Sequence, residues 1–250
     1  MKIKHVRRVV RELMKVQVDR SGVEAQHVTA QDTLEFAAML LGMKPVFLLG
    51  RGFDDPSWIS SVGQLASKLR LEIDEGVCWE PECLRRLDLP TWFRESLTAG
   101  PLVTYISSTQ PTASEVRKIC ARGFVSPAEE ALLLEYPICC VEEEHLRQGL
   151  VMDVWFRAVM KAANGSEDEA RRITSADIDV THAIEGEDAE QLANARKLHK
   201  CPFTSVVMCS VCASSDQSPA RKLSMQYERL ARDLDSELFG ILDRFRSLAA

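Results

Sequence analysis

The chain has 250 residues, of which 46% are hydrophobic and 27% are charged, and its formal net charge is −6. A chain of this length can bury a sizeable core, so it does not need a metal merely to fold. The acidic balance disfavours a general nucleic-acid binder, and no apolar run reaches the ~20 residues that cross a bilayer. Without a secretory signal pattern at the start, we expect a cytoplasmic protein whose eight cysteines remain reduced.

The first twenty residues predict a basic amphipathic helix. Val6, Val9, Val10 and Leu13 recur at helical spacing, with lysines and arginines between them. The simplest interpretation of the basic side is a solvated face over an apolar stripe. The alternative is contact with RNA, a membrane or another partner.

The next segment predicts a helix followed by a buried strand. Asp32 and Glu35 resemble an N-capping pair, and Gly42 with Pro45 would end the helix. The apolar run 46–49 is typical of a short buried strand.

A further helix and strand complete a βαβ unit. Asp55 and Pro56 fit the N-cap and first turn of a helix, residues 58–69 carry its apolar stripe, and residues 70–74 alternate as a strand. The crossover rule would make the two strands parallel. Arg51 lies in the glycine turn that follows the first strand, where open α/β sheets bind anionic ligands. Arg51 is therefore a candidate cofactor-binding residue, and a plain turn is the alternative.

The rest of the chain predicts one more strand, at residues 102–107, and otherwise helices. Thr112 with Glu115 and Ser126 with Pro127 mark two helix starts, since each pair fits a capping pattern. Further helices are predicted over 91–97, over 138–164 and from Ser218 to Phe245, with an acidic surface connection at 164–190 that carries one short helix.

These elements predict an α/β fold. A small parallel or mixed sheet with the βαβ unit would lie in residues 1–125, after the basic N-terminal helix. Residues 126–250 would be helix-rich and would hold the cysteine and histidine motifs. We expect the two parts to form one integrated domain.

The segment 199–212 reads H-x-C-x7-C-x-x-C and supplies His199, Cys201, Cys209 and Cys212. Thiolates and imidazoles at this spacing are ligands for a thiophilic metal or an iron–sulfur cluster. We therefore predict zinc or an iron–sulfur cluster at this segment. Buried structural thiols and a redox dithiol are the alternatives.

An adjacent pair, Cys139 and Cys140, follows Pro137 at a predicted helix start. The positive end of the helix dipole would lower the pKa of a thiol there, which makes it a better ligand or nucleophile. Adjacent side chains point in different directions. We therefore expect one of the two sulfurs to face a shared site and the other to pack in the core.

Other residues with reactive side chains have simpler interpretations. His145 is expected to be a satisfied surface histidine, and residues 142–144 (Glu-Glu-Glu) to be a solvated helix start. Cys120 lies on an apolar helix face and is expected to be a small core residue. Cys78 and Cys83 have no partner at ligand spacing.

The block 135–142 (EYPICCVE), together with the downstream His/Cys block and its following helix, resembles a poorly characterised prokaryotic family of unknown function. Members of that family carry a YPxCCV-like block and a later His/Cys block that ends in a helix. The resemblance covers residues 100–245 and implies that the two blocks belong to one site. Serine often replaces the last cysteine in that family, so the resemblance makes Cys212 the least constrained ligand.

The two motifs together predict a cytoplasmic metal- or iron–sulfur-binding protein. Four protein ligands would close the site and make it structural, whereas three would leave a position for chemistry on a small-molecule substrate. The alternatives are a thiol-based redox or nucleophilic enzyme without metal, and an interaction or nucleic-acid-binding module with structural zinc. The candidate metal ligands are Cys139, Cys140, His199, Cys201, Cys209 and Cys212.

Overall fold

Short strands alternate with many helices along the chain. The computed structural model describes residues 1–16, 23–49, 56–77, 80–98, 102–195, 197–201 and 203–246. The strands are β1 (Val46–Leu49), β2 (Glu72–Val77), β3 (Glu80–Pro81), β4 (Leu102–Ser107), β5 (Phe124–Val125), β6 (His199–Lys200) and β7 (Val207–Met208).

Helices make up most of this part of the chain. Two short 3₁₀ segments, Glu82–Arg86 and Thr181–Ala183, connect larger elements. Among the described residues, none of the helices is long and apolar enough to cross a membrane. The α-helices are α1 (Ile3–Leu13), α2 (Val23–Leu40), α3 (Pro56–Lys68), α4 (Thr91–Thr98), α5 (Gln110–Arg122), α6 (Pro127–Leu134), α7 (Ile138–Ala162), α8 (Glu167–Ser175), α9 (Gly186–Ala195), α10 (Ser210–Ala213), α11 (Pro219–Leu234) and α12 (Ser236–Arg246).

The main sheet has the strand order β1–β4–β2, and both pairings are antiparallel. Ser107 of β4 pairs with Val46 on one side and with Glu72 on the other. The two strands of the predicted βαβ unit therefore point the same way, but β4 lies between them and they do not pair directly. A parallel pairing occurs elsewhere, where Glu80 of β3 lies opposite Phe124 of β5. An α/β fold rich in helices is thus confirmed, with a small antiparallel main sheet and a parallel pairing in a separate two-stranded sheet.

The largest hydrophobic core joins the two ends of the chain. Val6, Val10 and Leu13 of α1 are buried in it, which confirms the predicted apolar stripe. Leu234 and Leu238, from the last two helices, lie in the same core, and α11 and α12 both contact α2. The C-terminal helices therefore pack directly on the N-terminal ones.

The basic face of α1 makes contacts within the chain. The Nε of Arg7 donates to the carbonyl oxygen of Asp233 at 2.7 Å, and the Nε of Arg11 lies 3.6 Å from a carboxylate oxygen of Asp235. Arg7 and Arg11 thus hold α1 against the junction of α11 and α12. Contact of this face with RNA or a partner remains a prediction.

Several predicted boundaries are confirmed by their caps. Helix α5 ends at Gly123, whose φ of 79° is the left-handed conformation that glycine adopts readily. Helix α6 begins with a capping box, because the Ser126 hydroxyl accepts from the N–H of Glu129 and the Glu129 side chain accepts from the N–H of Ser126. Strands β1 and β4 lie where the sequence predicts them.

Other boundaries differ from the prediction. Helix α2 already begins at Val23, so Asp32 and Glu35 are interior helical residues and do not form a cap. The predicted long C-terminal helix is divided at Asp235, which has an extended backbone. Its carboxylate accepts from the N–H groups of Glu237 and Leu238 at 2.9 and 3.2 Å and so starts α12. The connection at 164–190 holds α8 and the first half of α9, where one short helix is predicted.

Candidate metal centre

The junction of α6 and α7 places the first two cysteines. The chain leaves α6 through Glu135, which has a positive φ of 56°, and Pro137 is the N-cap of α7. Cys139 and Cys140 therefore lie in the first turn of α7. The predicted helix start at this proline is confirmed.

A small hairpin places the second pair of cysteines. In it β6 and β7 pair antiparallel, with His199 opposite Met208. Cys209 follows β7 directly and is the N-cap of α10, where its Sγ accepts from the N–H of Cys212 at 3.3 Å. One helical turn then brings Cys212 to the same side as Cys209.

Four sulfur atoms from these two segments meet in one place. The Sγ atoms of Cys139, Cys140, Cys209 and Cys212 all lie within 4.8 Å of one another, and those of Cys139 and Cys212 are 3.6 Å apart. Three of the four side chains are buried, and that of Cys139 is half-buried. This group could hold a metal ion. The expectation that Cys139 or Cys140 would meet Cys209 is therefore confirmed.

Both members of the adjacent pair take part, although one was expected to pack elsewhere. Neighbouring residues are about 100° apart around a helix axis, which separates them on the side of a helix. Here the second segment lies across the start of α7 and contacts both: the N–H of Cys209 donates to the Sγ of Cys140 at 3.4 Å, while Cys212 contacts Cys139. A segment at the end of a helix can reach side chains that point in different directions.

Burial controls the protonation of the first pair. It raises the pKa of Cys139 to about 11, with the neighbouring thiols of Cys212 and Cys209 adding to the shift. Burial also raises the pKa of Cys140, against a hydrogen bond from the N–H of Cys209. The prediction of a lowered thiol pKa at this helix start is therefore wrong. Desolvation of a thiolate outweighs the helix dipole here.

Cys201 and His199 lie close to the group of four but outside it. Cys201 is buried and packs in the same apolar cluster as Cys140, Cys209 and Cys212, and burial raises its pKa. His199 is exposed on β6. Metal binding by these two residues remains a prediction. Arg51 and Cys78, together with the predicted N-cap Asp55, lie outside the described residues.

His145 is buried, although a surface position was expected. It is 2% exposed, and its Nε2 lies 2.6 Å from a carboxylate oxygen of Glu130 on α6. Because α6 folds back against α7, the side of α7 that carries His145 faces protein. The thiol of Cys83 donates to the carbonyl oxygen of His145 at 2.9 Å.

Cys120 packs against a separate cluster around the main sheet, as expected of a small core residue.

Hydrogen bonds from α7 and α11 hold the second segment in place. The N–H and the hydroxyl of Ser210 each donate to the Glu143 carboxylate at 3.0 Å. Ser218, the N-cap of α11, donates its hydroxyl to the carbonyl oxygen of Cys212 at 2.8 Å. Glu143, which was expected to be part of a solvated helix start, thus also holds the start of α10. Its role depends on a residue far away in sequence, and sequence spacing carries no signal for it.

Comparisons with protein-family models, with curated proteins and with solved structures find no match to this chain. The chemistry of the site therefore follows from its own donor atoms. Four sulfurs that converge from two segments are a donor set for a soft or borderline metal ion.

Proposed function

We propose that this chain is a zinc-binding protein in which Cys139, Cys140, Cys209 and Cys212 hold one structural zinc ion. The observation that carries the proposal is the convergence of four sulfur atoms within 4.8 Å. Without a metal ion, four free thiols would lie together at a place where apolar side chains could pack instead. As thiolates on zinc they form the all-cysteine set common in structural sites.

The spacing of the sulfurs favours a single ion over a cluster. Zinc–sulfur bonds of about 2.3 Å in a tetrahedron place the sulfurs about 3.8 Å apart. The 3.6 Å between Cys139 and Cys212, and the limit of 4.8 Å for the whole group, fit this arrangement with small adjustments. A four-iron cluster binds each thiolate to a different iron, which would spread the sulfurs farther apart.

The number of ligands favours a structural role. Four thiolates complete the tetrahedron, so they leave no position at which a substrate or water could bind the ion. The ion would instead connect the start of α7 to α10, and through Ser218 to the start of α11. The protein is then a scaffold or binding module in which the metal holds the second cysteine segment against the start of α7.

The test is elemental analysis of protein purified without air, followed by cobalt substitution. We expect about one zinc ion per chain and, with Co²⁺, the visible absorption of a tetrahedral thiolate site. Cys139→Ser and Cys209→Ser should each lower the zinc content. Cys120→Ala is the control and should not, because Cys120 packs against the separate apolar cluster around the main sheet. Zinc-free protein that also shows no cobalt spectrum, or equal zinc in all three variants, would contradict the proposal.

A second candidate is thiol redox chemistry, favoured by the 3.6 Å between the sulfurs of Cys139 and Cys212. In such a step each thiol loses a proton and an electron, a disulfide forms between the two sulfurs, and one molecule of hydrogen peroxide takes up both protons and both electrons to give two molecules of water. The raised pKa of Cys139 disfavours it as the attacking thiolate. Rapid formation of this disulfide by dilute hydrogen peroxide, in protein that is purified without air and contains no zinc, would favour the second candidate over the first.

A further inference from the structure

A buried ion pair lies between the N-terminal helices and the cysteine segments. Glu35, inside α2, is 4% exposed, and Lys44, just before β1, is 2% exposed. The Lys44 ammonium lies 2.5 Å from the Oε2 of Glu35. Charges removed from water in this way are tolerated only when they are paired and their remaining hydrogen-bonding capacity is used.

The two segments that carry the cysteines satisfy that remaining capacity. The hydroxyl of Tyr136 lies 3.0 Å from both carboxylate oxygens of Glu35. Ser205 donates its N–H to Oε1 at 2.7 Å and its hydroxyl to the same oxygen at 2.6 Å. The Tyr136 and Ser205 hydroxyls also contact each other, and the ammonium of Lys44 lies over the Tyr136 ring.

The positions of Tyr136 and Ser205 in the chain are informative. Tyr136 comes shortly before Cys139, and Ser205 comes shortly before Cys209, so one carboxylate holds both segments just ahead of their sulfur ligands. Hydrogen bonds to a buried charge are strong and directional. The network therefore restricts the separation of the two backbones at the point where they enter the site.

We propose that Glu35 is a positioning residue for the metal centre, because it holds Tyr136 and Ser205 together and so sets the distance between the two cysteine pairs. The proposal rests on the proposed function of the four cysteines. The structure places no sulfur of the group against Glu35, so the carboxylate acts through the backbones of the two segments. Partners that hydrogen-bond a ligand directly typically change metal affinity by about tenfold or more, and we expect a network that acts through the backbone to lie at the lower end of that range.

The experiment compares two double variants with a control. E35Q/K44M removes both buried charges together and so leaves no unpaired ion, and Y136F/S205A removes the two hydroxyls but keeps the ion pair. The control is D74N, which breaks the ion pair of Asp74 with Arg117 on the main sheet and touches none of the four cysteines of the site. The readouts are zinc affinity by chelator competition and the Co²⁺ spectrum, with folding checked by circular dichroism.

We expect both double variants to weaken zinc binding by about tenfold and to shift the Co²⁺ bands, and D74N to leave both unchanged. Thermal melts followed by circular dichroism would detect a general loss of stability, because D74N breaks only a partly exposed ion pair. Folded double variants with the affinity and the spectrum of the unmodified chain would overturn the proposal. If E35Q/K44M does not fold, the result for Y136F/S205A tests the proposal by itself. This variant is expected to fold, because Tyr136 and Ser205 are more exposed than Glu35 and Lys44.

A metal-independent measurement separates this proposal from the proposed function. After treatment with chelator, alkylation rates of individual thiols are measured by mass spectrometry. We expect Cys140, Cys209 and Cys212 to react faster in both double variants than in the unmodified chain, while Cys83 is unchanged. If the unmodified chain binds no metal, the proposed function fails but the thiol rates still decide on Glu35. Equal rates in all variants would then overturn its positioning role.

Discussion

Cys212 is a residue at which burial and hydrogen bonding act in opposite directions. Burial raises its pKa, but the N–H of Ala220 and the thiols of Cys139, Cys209 and Cys140 stabilise its thiolate, and the net result is a lowered pKa. A metal ion would therefore meet one sulfur that loses its proton readily and would displace protons from the others. Cys212 thus has the properties of a first ligand.

The contrast between Cys212 and Cys201 gives a test at single residues. We expect Cys212→Ser to lower the zinc content or weaken zinc binding strongly, because it removes a member of the group of four. Cys201→Ala should keep about one zinc ion per chain, because its thiol lies outside that group. Inductively coupled plasma mass spectrometry of both variants measures this. Loss of zinc from Cys201→Ala would show that the ligand set has been assigned wrongly.

Glu143 and Glu142 form a second residue pair for comparison. Glu143→Ala removes both hydrogen bonds to Ser210, so α10 would be less firmly held and zinc should dissociate several-fold faster. Glu142→Ala is the control, because Glu142 is an exposed neighbour with the same charge near the same helix start. Zinc transfer to a chelator, followed in time, gives the rates. Equal rates in the two variants would count against a role for the Glu143 contact.

At the scale of elements, the cap of α6 is the clearest link between sequence and stability. Glu129 closes the capping box with Ser126 and also pairs with Arg122. Its hydrogen bond with Arg122 has the largest effect and, with those from Ser126, lowers its pKa from 4.5 to about 2. Since α6 leads directly into Tyr136 and the first cysteines, this cap supports the entry to the site.

The lowered pKa gives a prediction with a definite sign. Glu129 stabilises the folded chain above pH 4.5, and this contribution is lost as the pH falls towards 2, because the unfolded chain takes up the proton first. Glu129→Gln should therefore cost about 1 kcal/mol of unfolding free energy at neutral pH and progressively less in acid. Denaturant titrations at a series of pH values measure the difference. A difference that does not shrink in acid would rule out this explanation.

Elements with local signals could be predicted from the sequence. The start of α6 at Ser126 and Pro127 and the end of α5 at Gly123 depend on residues within a few positions, and both are confirmed. The break at Asp235 also has a local cause, a side chain that caps the next helix, but the continuous apolar stripe conceals it.

Features that depend on distant partners could not be predicted in this way. Strand β4 separates β1 from β2 because segments far apart in sequence pair there. His145 is buried because α6 folds back on α7 at a turn whose direction the spacing of residues does not reveal. Spacing alone identified the cysteines but did not decide between Cys201 and the second member of the adjacent pair. That choice depends on how the hairpin lies across α7. The spacing of Asp32 and Glu35 predicts a helix cap, whereas the partners of Glu35, Tyr136 and Ser205, lie more than 100 residues away and cannot be identified from local sequence.

At the scale of the whole molecule, the cysteine group and the largest core are separate. The sulfurs pack in a small cluster with Val206, Met208 and Ala220, whereas the main core is built on α1, α2, α3 and the C-terminal helices. Leu223 of α11 packs against both clusters and connects them. Loss of the metal should therefore loosen one region and leave the main core folded.

Removal of zinc tests this separation. A ligand that binds only the folded chain stabilises it by mass action, so a chelator should lower the melting temperature by several degrees. The far-UV circular dichroism at room temperature should change little, because the main core does not depend on the ion. Amide hydrogen exchange should quicken around residues 199–218 and at the start of α7, while α1 and α2 remain protected. Global unfolding by chelator would contradict a separate core, and unchanged exchange around the cysteines would contradict a structural zinc ion there.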